Sequence, residues 1–155
     1  MGFSINARYK AFDFATYFTG QFGQYVYNNT ANAFFTAGSI NNARNVTQNV
    51  LTAGEAGSAE AAVSTRFLEK GDFVRMQNFS LGYTLPMSGN KYIKKLRLYL
   101  NGQNLFLITN YSGLDPEVSS SPASSDLLSG LPTAGIDYAA YPRPRTFTIG
   151  LNASF

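Results

Sequence analysis

The chain has 155 residues, one domain's worth, and only 14% of them are charged against 15% aromatic, where a soluble domain carries about 25% charged residues. It has no histidine and no cysteine, which excludes imidazole acid–base catalysis, thiol nucleophiles, disulfide scaffolds and the usual zinc sites. A net charge of +3 is too small to argue for nucleic acid, and a mean hydropathy of −0.12 beside so many aromatics indicates fine apolar–polar alternation; no enzyme is expected.

The opening Met1-Gly2-Phe3-Ser4 enters an alternating run with no basic or apolar leader, so no secretory signal is expected. Asn6 stands where a myristoylation motif wants Ser or Thr. The expectation is a cytoplasmic chain or an incomplete precursor. Phe3, Ile5, Ala7 and Tyr9 oppose Ser4, Asn6, Arg8 and Lys10, which predicts a strand with one apolar face. After a tight turn at Lys10-Ala11, Phe12, Phe14, Thr16, Phe18 and Phe22 oppose Asp13, Ala15, Tyr17, Thr19 and Gln21. From Gly23 to Arg66 the chain is polar and loses the alternation, and Asn41 to Ala62 reads as a loose or partly helical loop.

Strand patterning resumes with Phe79, Leu81, Tyr83 and Leu85 against Asn78, Ser80, Gly82 and Thr84. A short turn from Pro86 to Lys94 leads to Leu96, Leu98 and Leu100 against Arg97, Tyr99, Asn101 and Gln103, and the phase is lost near Asn104, where a bulge is expected. A second long polar segment runs from Thr109 to Pro142. The chain closes on Phe147, Ile149, Leu151, Ala153 and Phe155 against Thr148, Gly150, Asn152 and Ser154. No stretch approaches the roughly 18 apolar residues of a membrane helix.

Short turns alternating with long loops are the organisation of an outer-membrane β-barrel, whose short turns face the periplasm. Such barrels need an even number of strands, at least about 8, and five are legible here. An open five-stranded sheet in lipid would leave two edges of unpaired backbone. The fold expected is therefore all-β: an antiparallel transmembrane barrel segment, residues 1–155, with two long extracellular loops, belonging to a larger barrel. A small free-standing barrel and a soluble β-sandwich are the alternatives.

Four blocks resemble the late strands of SusC/RagA-type TonB-dependent transporters. They are Arg66-Phe67-Leu68-Glu69-Lys70-Gly71-Asp72-Phe73 running on to Leu85-Pro86, Leu98-Tyr99-Leu100-Asn101-Gly102-Gln103-Asn104-Leu105-Phe106, Tyr111-Ser112-Gly113-Leu114-Asp115-Pro116-Glu117, and Tyr141-Pro142-Arg143-Pro144-Arg145 through Asn152. The resemblance implies the C-terminal part of a barrel of about 22 strands with a plugged lumen, in the outer membrane of a Gram-negative, Bacteroidetes-type bacterium. It also implies import of oligosaccharides or peptides with a SusD-like surface lipoprotein, drive from the TonB complex through a missing N-terminal part, and contact with the remaining barrel, plug and lipid. No cofactor is implied.

Lumen-facing candidates are Asn78, Ser80, Arg97, Tyr99, Asn101 and Gln103, where general lumen polarity is the simpler reading than substrate or plug contact. In the last long segment Asp115, Glu117, Asp126 and Asp137 offer hard oxygens without EF-hand spacing, so no metal is expected and Asp115-Pro116 reads as a turn. Tyr111, Tyr138 and Tyr141 suit either sugar or lipoprotein contact or an interfacial aromatic girdle, with Tyr111 the best girdle candidate. Lys91, Lys94, Lys95 and Arg97 read as a solvated periplasmic turn, not a nucleic-acid patch. Phe147, Ile149, Leu151 and Phe155 form the expected assembly signal for the barrel-insertion machinery.

Overall fold

A two-residue apolar repeat can be satisfied across several strands only if neighbouring strands hold their phase, and the computed structural model shows that they do. It describes residues 1–41, 43–55, 57, 62–87, 92–120 and 133–155, excepting the side chains of 119, 120, 133 and 134. In chain order these residues form β1 (Gly2–Tyr9), β2 (Phe12–Gln21), β3 (Tyr25–Asn28), α1 (Asn29–Phe34), α2 (Gly38–Asn41) and α3 (Gln48–Thr52). A 3-10 turn (Thr65–Phe67), β4 (Leu68–Lys70), β5 (Phe73–Pro86), β6 (Lys95–Gln103) and β7 (Leu107–Thr109) follow. Last come β8 (Ser119–Ser120), β9 (Thr133–Ala134), β10 (Ile136–Asp137) and β11 (Thr146–Ser154). The chain divides into two compact units, one of Met1–Gln21, Phe73–Thr109 and Arg143–Phe155, the other of Phe22–Asp72 and Asn110–Pro142.

The first unit is an antiparallel sheet in the order β1-β2-β5-β6-β11, with β7 paired to β5 beyond the end of β6. All five expected strands are present. Ala7 lies opposite Phe14, Phe14 opposite Leu81, Leu81 opposite Leu100, and Leu100 opposite Ile149. One register position away, Arg8, Asp13, Gly82, Tyr99 and Gly150 are partners in the same sequence. Apolar and polar rows thus alternate across the whole sheet, and a one-residue slip at any ladder would carry that strand's apolar set to the wrong face. Phe12 against Tyr83 at 4.6 Å and Phe14 edge-on to Phe79 at 5.6 Å tie the apolar rows together.

The expected loss of phase at Asn104 is a real irregularity: Asn104 has φ 53°, a left-handed conformation that Asn tolerates better than most residues. At the same level the β2–β5 register shifts between Tyr17 and Phe18, leaving Gln77 as the extra residue of β5. Asn104 N–H donates to the Gln77 carbonyl at 3.0 Å and Leu105 N–H to the Met76 carbonyl at 3.3 Å, after which β7 resumes pairing. The apolar face of this sheet stays open, with Phe3, Ile149 and Leu151 all more than half exposed. A soluble sandwich would bury that face beneath a second sheet.

The two long polar segments fold together as the second unit, and the stretch read as loose or partly helical does carry the short helix α3. β3 pairs antiparallel with β4 (Tyr25 opposite Lys70) and parallel with β10 (Ile136 opposite Tyr27). Segments more than a hundred residues apart in sequence therefore share one small sheet. Its strands are two to four residues long, too short for alternation to register in the sequence. Val26, Val50, Phe67 and Tyr111 form its buried core, and the Asn28 side chain caps α1 by accepting from Ala31 N–H at 2.9 Å.

On the polar face of the first unit, glycines leave room for their neighbours. The Arg97 guanidinium crosses Gly82 to make a two-pronged ion pair with Asp13, tying β6 to β2 over the intervening β5. The Tyr99 ring similarly covers Gly150 on β11. A side chain at Gly82 would displace both members of the ion pair, so Gly82→Val is expected to cost about 1–3 kcal/mol by overpacking. The urea midpoint of the folded protein in detergent checks this, and an unchanged midpoint would show that the crossing contributes nothing.

Candidate functional site

The lumen candidates fall where alternation placed them, on the polar face. Asn78 lies opposite Gln103 and Ser80 opposite Asn101, while Tyr99 and Arg97 sit one and two rows nearer the short turns. The Arg97 guanidinium lies 5.4 Å from the Tyr99 ring centroid as well as on Asp13, so cation, ring and carboxylate form one group rather than three separate surface side chains. Further along β5, Arg75 is 1% exposed and donates from Nη1 to Asn104 Oδ1 at 2.5 Å. Asn104 Nδ2 donates in turn to the Arg143 carbonyl at 2.7 Å. The bulged asparagine thereby holds the stretch leading into β11.

In the second unit, Tyr111 is buried and its hydroxyl donates to Asp137 Oδ2 at 2.7 Å. Asp137, also buried, accepts from Thr30 Oγ1 at 3.2 Å through its other oxygen. Glu69 accepts from Asn28 Nδ2 at 3.0 Å, from Ser112 Oγ at 2.7 Å and from Ser112 N–H at 2.8 Å. These two carboxylates clasp the segment following β2 to the segment following β7. Burial first, then the bond to Asp137 and its negative charge, pushes the Tyr111 hydroxyl far above its ordinary value near 10. The ring is therefore a structural member of the unit, not a surface aromatic.

A cavity of about 420 Å³ opens beside the clasp, lined among others by Asn28, Phe35, Val50, Phe67, Glu69 and Asp137. Tyr138 is about half exposed and stacks on Phe34 with centroids 6.1 Å apart, whereas Tyr141 is 91% exposed. Asp115 accepts from Glu117 N–H at 2.9 Å, an Asx turn at the position where a turn was expected. Asp126 lies outside the described residues; among those described, no three acidic side chains converge as a metal site would require. Phe147, Ile149 and Leu151 project from β11 and are more than half exposed, as is Phe155 just beyond it.

No family model matches the chain. Individual proteins do. Over 100% of its length it is 34% identical to a TonB-dependent receptor of Formosa agariphila and 32% identical to the TonB-dependent receptor SusC of Bacteroides thetaiotaomicron. The RagAB peptide importer in its closed-closed state superposes with a TM-score of 0.79 over 99% of the chain at 25% identity. Over its whole length the chain is similar to SusC-type TonB-dependent receptors. The chain spans 16% and 15% of the two curated relatives and 17% of the importer chain. Its fold is an antiparallel barrel segment bearing two long loop regions, and the resemblance first seen in four blocks extends over residues 1–65 as well.

Asp13, Arg75, Asn28 and Glu69 were not singled out in the sequence, and Asn104 was marked there only as a break in phase, not as a partner of Arg75. Asp13 and Arg97 both occupy polar positions of their strands, but only the order β2-β5-β6 brings them together. Glu69 lies inside one of the family-like blocks, yet its partners come from positions 28 and 112. Tyr111→Phe should cost the second unit about 1–3 kcal/mol by depriving buried Asp137 of a donor, read as faster proteolytic nicking of the 110–142 segment. Because the folded hydroxyl titrates above its unfolded value, the stability it contributes is complete below about pH 10 and is lost as pH rises further. That alkaline loss should shrink in Tyr111→Phe.

Proposed function

We propose that this chain is the C-terminal barrel segment of a TonB-dependent outer-membrane importer of a Gram-negative bacterium. Its β1, β2, β5, β6 and β11 build one sector of the wall. The observation that supports this best is the open sheet whose apolar rows all lie on one exposed face, in a chain similar throughout to SusC-type receptors. Lipid takes the place of the second sheet that a soluble protein would need. The polar rows, with Asn78, Ser80, Asn101 and Gln103, line the lumen, and the long segments after β2 and β7 are the extracellular loops.

Transport, not catalysis, is the activity proposed. Substrate, an oligosaccharide or peptide, is captured with a SusD-like lipoprotein, and TonB acts through a part of the protein outside these residues. Tyr138 and Tyr141 supply exposed aromatic surface for that capture. The RagAB relative, described as a peptide importer, supports the peptide alternative to the same degree that SusC supports membership of the broader class.

An antibody against residues 109–142 should detect, in outer-membrane fractions, a product several times heavier than 16.9 kDa. A single band at 16.9 kDa, or one confined to the soluble fraction, would refute the proposal. Replacing Phe155 with Asp in the longer product is expected to lower its outer-membrane level several-fold, since the exposed β11 edge and its apolar face are what the insertion machinery would engage. Unchanged levels would remove the assembly-signal role.

A further inference from the structure

At the short-turn end of the first unit the sheet carries a cavity of about 390 Å³ lined by Arg8, Lys10, Ala11, Phe12, Asp13, Thr84, Pro86 and Lys95. Three of these are cations and one is an acid. Asp13 stands opposite Arg8 in the β1–β2 ladder, yet both of its oxygens are taken by Arg97. Among the described residues neither Arg8 nor Lys95 has a carboxylate partner, and Lys10 rests 5.3 Å from the ring of its neighbour Tyr9. The one acid present is neutralised by a fourth cation, which leaves the cavity with the charge of three.

The face on which these groups lie narrows what could compensate them. Arg8, Asp13, Thr84 and Lys95 share the phase of the polar rows, while Tyr9, Phe12, Leu85 and Leu96 hold the apolar side at the same level. On the transporter reading, on which this inference rests, the polar face looks into the lumen and the short turns mark its periplasmic mouth. Lipid headgroups meet the other face. Barrels of the size implied by the relatives hold a plug in the lumen, and five-sixths of the relatives' length lies outside the matched segment. We propose that this cavity receives an acidic segment of the longer protein's own chain, whose Asp or Glu side chains pair with Arg8, Lys10 and Lys95 and fasten the lumenal part to this sector of the wall.

Carbodiimide cross-linking of the full-length protein in isolated outer membranes tests this, because the reagent joins an amine to a carboxylate only where the two are already in contact. Peptide mapping is expected to show an isopeptide between Lys10 or Lys95 and an Asp or Glu outside residues 1–155. Its yield should fall several-fold in Arg8→Glu, and in 1 M NaCl, where the Debye length is about 3 Å. Absence of that product, with other isopeptides formed in the same sample, would overturn the inference. So would phospholipid that stays bound through gel filtration of the wild type and is lost in the triple variant Arg8→Gln/Lys10→Gln/Lys95→Gln, since the anion would then be a headgroup. Fractionating the same membranes separates the two levels: a protein missing from the outer membrane defeats the transporter reading itself, whereas a correctly located protein without the cross-link defeats this inference alone.

Discussion

A side-chain repeat of two residues tolerates no slippage, and every feature of the first unit depends on that register being held from β1 to β11. Five strands agree on which side is apolar, so Ala7, Phe14, Leu81, Leu100 and Ile149 stand in line while the residues beside them make a polar row. Devices that pin the register are visible in the same rows. Arg97 reaches across a glycine to Asp13, Tyr99 lies over another glycine, and aromatic pairs tie β2 to β5. Glycine within a strand is ordinarily a weakness. Here it makes space for long side chains that bridge to the next strand but one or cover the next strand.

Where the two-residue repeat breaks, it breaks on both sides of β5 at one level. Gln77 is extra relative to β2, and Asn104 adopts a left-handed conformation at the end of β6. The coincidence lets β7 regain β5 and lets Arg75, buried in the sheet, reach Asn104 and through it the stretch before β11. Bulges of this kind re-aim a strand without ending it. In this sheet the re-aimed end lies where the chain leaves for the second unit.

The second unit is organised by different physics. Its strands are short, and its cohesion rests on a small apolar core with two carboxylates held by neutral donors. Of the two, Asp137 is buried, and a buried hydrogen-bonded acid imposes specificity, because losing one donor strands a charge away from water. Glu69 and Asp137 each gather partners from both long segments, which makes one folded body from stretches that are separately polar and featureless.

The sequence by itself determined the faces. Alternation located five strands and their polar and apolar sides, the break at Asn104 and the turn at Asp115, because each of these is written in residues within a few positions of one another. Only the tertiary structure decided what depends on contacts between distant residues. The pairing of β2 with β5 across fifty residues put Arg97 on Asp13 and left Arg8 and Lys95 without that carboxylate. The burial of Tyr111 against Asp137, and the joining of β10 to β3, were invisible for the same reason. Strands of two to four residues carry too little periodicity to be seen, and a hydrogen bond between positions 111 and 137 leaves no trace in the local pattern of either.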